Sequence, residues 1–245
     1  MHRRARLLVV GLVTFVAALV IVFPARLAYH WFAPPALALS GLRGSVWNGS
    51  AAEGMVSGVY VRALSWHLRP LALLTGKIGY TVAAIPASGF IDMKVGLGLT
   101  GTVTISELQG SLPLQTLEQT VRIPGLRGTM NLQFDRLQFR DGLPVAADGT
   151  VEVENLVAPA VDRASIGGYR AEFFTQDSGV VASVEDTDGI VDLAGSLQIS
   201  KNRNYQFVAQ IAPKARTPAN VRQQLKFLGS PNDRGQHELR LEGKL

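Results

Sequence analysis

Residues 90–99 read Phe90-Ile91-Asp92-Met93-Lys94-Val95-Gly96-Leu97-Gly98-Leu99. Ile91, Met93, Val95, Leu97 and Leu99 are apolar, and Asp92, Lys94, Gly96 and Gly98 separate them. Successive side chains of a strand point to opposite faces, so this period of two means one dry face and one wet face. The same beat returns in Met130, Leu132 and Phe134, and again in Tyr205, Phe207, Ala209 and Ile211. It closes the chain in Leu239, Leu241 and Leu245, set against Glu238, Arg240, Glu242 and Lys244. A sheet that keeps one face in water is mostly antiparallel.

Working outward, further strands are predicted at Leu42–Trp47, Val59–Leu68, Lys77–Ala83, Gly101–Leu108, Thr150–Asn155, Tyr169–Phe174, Val180–Val184 and Gly189–Ile199. The alternation slips by one between Val61 and Leu64, and again between Phe134 and Leu137. Each slip predicts a bulge. Turns are expected at Asp141-Gly142, Asp148-Gly149, Asp188-Gly189 and Asn232–Gly235. Near 217–229 the pattern becomes helical: Thr217 as N-cap, Pro218 in the first turn, Val221, Leu225 and Leu228 on one face, Gly229 as terminator. Leu112–Gln119 is a second helix or loop candidate. The segments Gly41-Leu42-Arg43-Gly44-Ser45 and Gly125-Leu126-Arg127-Gly128-Thr129 echo one another, and each opens a strand. Leu193–Leu197 is a looser copy. Nothing divides residues 37–245 except a soft boundary near 110–125.

Before the sheet lies a different kind of sequence. Leu7–Phe23 is seventeen residues without a charge, preceded by Arg3, Arg4 and Arg6. With Ala25, Leu27 and Ala28 it approaches the roughly 20 residues that cross a bilayer core. Tyr29, Trp31 and Phe32 follow, where rings favour the headgroup layer, and the arginines predict a cytoplasmic N-terminus. A cleaved signal peptide fits less well. Its apolar stretch would be too long, and Phe23 would occupy a small-residue position. The expected organisation is a cytoplasmic tail (1–6), a transmembrane helix (7–28) and a periplasmic β-rich domain (29–245).

The net charge is +5, and setting aside the three leading arginines leaves about +2 for the rest. That balance excludes the basic stripe of a nucleic-acid binder. The absence of cysteine removes disulfides, thiolate metal sites and Cys nucleophiles. His2, His30, His67 and His237 lack the spacing of a helical metal pair. There is no G-x-S-x-G elbow and no phosphate loop, since Gly96–Gly101 lies in strand sequence. Glu185-Asp186-Thr187-Asp188 could hold a hard cation, but a solvated turn explains it more simply. Glu152 and Glu154 sit on a wet strand face. Arg62, Arg69 and Lys77 near Trp66 suit anionic lipid headgroups. Catalytic, metal and cofactor residues are therefore expected to be none, and no enzyme is expected.

Three regions carry a family resemblance. Gly41, Gly44, Ser45, Trp47, Gly49 and Ala51 resemble the G-x-x-G-[ST]-x-W-x-G-x-A element of protein N of the type II secretion system. Trp66, Leu68, Pro70, Leu71, Leu74 and Gly76 resemble its W-x-L-x-P strand and turn. Gly189 and Gly195 in Gly189–Ile199, then Gly229 and Gly235, are similar to its C-terminal half, whose G-x-x-x-L-x-G-x-L strand pair they match. Residues 85–150 carry little that matches.

The resemblance implies a mainly β protein: an N-terminal transmembrane helix, then a curved, mostly antiparallel sheet (an open groove or a sandwich) with one short C-terminal helix. It implies a non-enzymatic accessory component at the inner membrane, supporting export of folded proteins across the outer membrane. Its partners would be the inner-membrane bilayer and other secretion-system subunits. The outline is also similar to AsmA-like proteins, which gives the alternative: a groove that binds or transfers lipid, with a lipid ligand. Trp47 and Trp66 are expected as core anchors first and interface anchors second.

Overall fold

The computed structural model describes residues 2–56, 58–86, 88–117 and 123–244, with the backbone alone for residues 2–9, 17 and 75. Leu245 and part of the Leu112–Gln119 stretch lie outside the described residues. Two helices open the chain, α1 (His2–Ile21) and α2 (Ala25–Phe32). The break falls at Pro24, whose extended ψ of 135° cannot continue α1. The strands follow: β1 (Leu37–Ser40), β2 (Arg43–Gly44), β3 (Asn48–Val56), β4 (Val59–Arg69), β5 (Lys77–Pro86), β6 (Phe90–Gly98) and β7 (Val103–Pro113). Then come β8 (Arg127–Arg140), β9 (Leu143–Val157), β10 (Tyr169–Gln176), β11 (Gly179–Asp186), β12 (Val191–Ser200) and β13 (Asn204–Pro213). Helix α3 (Ala219–Leu225) precedes the last strand, β14 (His237–Lys244).

Among the described residues the fourteen strands make one sheet. From β3 onward each strand pairs antiparallel with the next, and β1 and β2 share the outer side of β3. Paired residues of an antiparallel sheet face the same side, so the registers carry one apolar face across the molecule. A single row runs Leu108, Phe134, Gly149, Phe173, Ala182, Leu197, Phe207, Leu241. The Phe134 and Phe173 rings meet over Gly149, 5.5 Å apart, because glycine puts nothing between them.

The sheet curls. The Arg203 guanidinium donates to the Asp141 carbonyl at 3.4 Å, joining the β12–β13 turn to the β8–β9 turn. In a flat sheet those turns would lie about 19 Å apart, at four strand spacings. Curling lets Val180 pack with Leu108, Phe134 and Ala147. No second sheet covers the apolar face among the described residues, so of groove and sandwich the fold is the open sheet. Helix α2 covers the β1–β5 end of that face and α3 the β12–β14 end.

Several expectations need correction. Both predicted bulges occur, between Arg62 and Ser65 and between Phe134 and Arg136. Asp148-Gly149, however, is not a turn. It lies inside β9, where the Asp148 carboxylate accepts from the Thr175 N–H at 3.0 Å and from Arg136. Leu42–Trp47 yields only the two-residue β2, because Gly41 and Gly44 adopt positive φ and break the extended path. The strand predicted at Gly189–Ile199 is β12 (Val191–Ser200), a single strand where the resemblance implied a pair. Thr217 is not the N-cap, since Pro218 takes that place. The Thr217 hydroxyl instead accepts from the Lys214 N–H at 2.7 Å and donates to the Ile190 carbonyl at 2.5 Å. The sheet runs unbroken through β7 and β8, so no boundary falls near 110–125 among the described residues.

Candidate functional site: the strap between the N-terminal helices and the sheet

The loop from Gly41 to Gly49 must turn back on itself within a few residues. Gly44 sits at φ +80°, and a side chain there would meet the Asn48 carbonyl oxygen at 2.4 Å. Gly49 is closed in on both sides, since a Cβ would lie 2.5 Å from the Trp66 ring and 2.7 Å from the Arg43 carbonyl. Ser45 ties the loop: its N–H donates to the Asn48 carbonyl at 2.8 Å, and its hydroxyl accepts from the Asn48 N–H at 3.1 Å. The Trp66 indole N–H reaches across from β4 to the Ser45 and Val46 carbonyls, at 3.2 and 3.1 Å.

Onto this loop the helices are strapped. The Trp47 indole N–H donates to the Val20 carbonyl at 2.7 Å. Val20 lies in the last turn of α1, where its carbonyl otherwise takes only a long 3.3 Å bond from the Phe23 N–H. The Val46 N–H donates to the Phe23 carbonyl at 3.0 Å, and Pro24 bridges Ser45. Arg26 donates to the Leu42 carbonyl at 2.8 Å. The Tyr29 hydroxyl donates to the Leu37 carbonyl and accepts from the Leu39 N–H at 2.9 Å. Trp47 and Trp66 are half-buried rather than core residues. Their rings serve the strap, not the packed interior.

The structure thus gathers Gly41, Gly44, Ser45, Trp47, Gly49 and Trp66 in one place. Pro70, Leu71, Leu74 and Gly76 form the next turn on the same rim. Pro70 starts a 3-10 turn, Pro70–Thr75, and Gly76 closes it at φ +70°. Leu71 and Leu74 point into solvent. The remaining motif glycines are elsewhere. Gly189 accepts from Arg216 at 3.0 Å in the β11–β12 turn, and Gly195 lies opposite Ala209 in β12. Gly229 follows α3 and offers its carbonyl to the His237 ring at 2.8 Å, and Gly235 closes the last turn. Sequence reading missed Arg26 and Tyr29 as strap residues. The signal was available: an arginine and a hydroxyl interrupting an apolar run need partners.

A second feature sits under α3. A hollow of about 420 Å³ is lined by Leu156, Val161, Ile166, Tyr169, Ile190 and Leu225, among others. Burial, then the Asp186 and Asp188 charges, push the Tyr169 phenol up to about 12. Burial would raise Asp186, but the Lys214 ammonium and the Leu193 N–H outweigh it and hold its carboxyl below the usual range. Asp186 thus ties the 185–188 turn to Lys214 and to β12, while the Tyr169 hydroxyl donates to the Ile166 carbonyl at 3.1 Å. No cluster of three or more metal-ligating side chains exists among the described residues.

The comparisons agree on one relationship. A family model described as "Type II secretion system (T2SS), protein N" matches residues 35–240. A type II secretion system protein N of Aeromonas hydrophila is 25% identical over 255 aligned positions, covering 100% of both chains. Another, from Vibrio cholerae serotype O1, is 27% identical over 220 positions and covers 86% of each. No solved structure matches. Sharing that family model over residues 35–240, which hold nearly all of the sheet, the chain belongs to the type II secretion system protein N family.

Proposed function

We propose that this protein is an accessory component of the type II secretion system, anchored in the inner membrane and supporting export of folded proteins across the outer membrane. The observation that carries the reading is the family match over residues 35–240. The two relatives bear the same name along most or all of their length. Other secretion-system subunits are then its partners, and its work is positional rather than enzymatic.

The anchor is argued from exposure. Val10, Leu12, Val13, Phe15, Leu19 and Ile21 of α1 are half or more exposed. An apolar surface of that length calls for a non-aqueous neighbour. The apolar part of α1, Leu7–Ile21, rises about 22 Å of a bilayer core roughly 30 Å thick. Among the described residues, no helix is long and apolar enough to cross a membrane. The anchor therefore rests on the apolar run Leu7–Phe23 read from sequence, since α2 beyond Pro24 is held against the sheet through Arg26 and Tyr29. In this reading residues 1–6 are cytoplasmic and 29–245 are periplasmic. The strap then fixes how the sheet stands on its anchor, and confinement to the membrane plane raises its effective concentration for partners there. The lipid-transfer alternative draws no support from the relatives.

The test is genetic. In a Gram-negative host lacking its own protein N, the full chain is expressed at native level, alongside a variant whose residues 1–28 are replaced by a cleaved signal peptide. Exported enzyme should reach the medium with the full chain and accumulate in the periplasm with the variant. Equal secretion by host cells with and without the full chain would end the reading.

A further inference from the structure

We propose that the sheet makes a second contact with the bilayer, through the rim that carries the 3-10 turn Pro70–Thr75 and the β6–β7 turn. This rests on the anchoring read above. Leu71, Leu73, Leu74 and Leu99 are 77%, 53%, 85% and 90% exposed. All four lie at one end of neighbouring hairpins, because Lys77 pairs with Gly98 and so brings the two turns side by side. A soluble turn has no reason to present four leucines to water. The family motif also places Leu71 and Leu74 here, and nothing in the packing uses them.

The rim is the one to which α1 is attached. Trp47, whose indole holds the Val20 carbonyl, accepts the Leu68 N–H on its own carbonyl at 2.6 Å. Leu68 is two residues from Pro70. The end of α1 and the leucine turn are therefore neighbours along the same edge, and a bilayer that receives one lies beside the other.

The charge of the rim fits the same partner. Its exposed cations are Arg69, Lys77, Arg140, Lys201, Arg203 and Lys244, against Asp141 and Asp177. These belong to successive hairpin ends on the side of the leucine turn. Anionic headgroups attract such a row, and apolar tips flanked by cations suit the headgroup–acyl boundary. The wet face of the sheet, by contrast, pairs its cations with carboxylates: Arg136 with Asp148 and Arg170 with Glu152. Phe227 is as exposed as the leucines but lies at the far end of the molecule, beside α3, and serves as a control.

The chain has no cysteine, so single labels can be placed freely. Leu71→Cys, Leu74→Cys, Leu99→Cys, Val16→Cys and Phe227→Cys are made in the full chain. Each is labelled with an environment-sensitive nitrobenzoxadiazole dye and reconstituted in phosphatidylethanolamine–phosphatidylglycerol vesicles. Lipids carrying a spin-label quencher near the headgroup or mid-chain report depth. The expected result is deep quenching at 16, shallow quenching with a blue shift at 71, 74 and 99, and none at 227. Quenching at 16 without quenching at 71, 74 and 99 overturns the rim contact and leaves the anchor intact. No quenching at 16 overturns the anchor as well. Equal quenching at 227 and 71 shows nonspecific adsorption and overturns the rim contact.

Discussion

The Trp47 indole holds the Val20 carbonyl at 2.7 Å, and this bond joins the loop before β3 to the last turn of α1, 27 residues earlier in the chain. The contact is polar and directional. Trp47→Phe keeps an aromatic ring and removes the donor. It should lower stability by about 1 kcal/mol, the net worth of one such bond. More telling, limited proteolysis should open the Val22–Pro34 segment while β3 and β4 stay protected. An unchanged cleavage pattern would mean that the bond does not hold the helix.

The strap loop and the β8–β9 turn give a contrast in glycine chemistry. At Gly49 a methyl would strike the Trp66 ring and a backbone carbonyl, both within 3 Å. At Gly142 the φ is +77° and the surroundings are open. Gly142→Ala should cost about 1 kcal/mol, from backbone strain alone. Gly49→Ala has nowhere to relax, and should cost about 1–3 kcal/mol as overpacking does. Thermal melts of the two variants side by side would settle the order, and a milder effect at Gly49 would refute the crowding.

The period-two signal located most of the sheet because each strand keeps one face in water. It failed where that condition fails. β3 (Asn48–Val56) went unpredicted because Gly49, Ser50, Ala51, Ala52 and Gly54 are too small to show contrast. Asp148-Gly149 looked like a turn because Asp-Gly usually is one. Here the long-range packing of Phe134 on Phe173 requires a residue without a side chain, and one residue's neighbours in sequence cannot reveal that. The strap was half legible. Its glycines and tryptophans stood out as a motif, but their partners Val20, Phe23 and Arg26 lay in a segment whose composition spoke only of membrane. Whether the apolar face was roofed could not be read at all, since alternation records that a face is dry, not what dries it.

Acid should loosen the α3 end. The Asp186 carboxylate is only 6% exposed and pairs with Lys214, while also accepting the Leu193 N–H at 2.8 Å. Its pKa is depressed in the folded state. The stability it contributes is therefore fully present above the unfolded value, about 3.9, and is lost as pH falls through the lower folded value. Asp186→Asn should be less stable than the parent at pH 7, and the gap should narrow below about pH 4. Urea titrations at pH 7 and pH 3 would show it. A gap that stays constant with pH would exclude the ion pair as its source.

The curl of the sheet makes its own demand on the centre. Phe134 is 5% exposed, sits over Gly149, and touches strands that a flat sheet would hold apart, including Val180 of β11. Phe134→Ala should cost about 3–5 kcal/mol, the range for emptying a buried aromatic site. Its consequence should travel to the rim. With the core slack, the Arg203–Asp141 link joins turns that no longer need to meet, and hydrogen exchange should rise at 141–143 and 201–204 together. A control, Arg203→Ala, removes the link without touching the core and should raise exchange at those turns with little loss of stability. If Phe134→Ala raises exchange only in β7–β9 and leaves 201–204 protected, the curvature is set within each hairpin rather than by packing across the face.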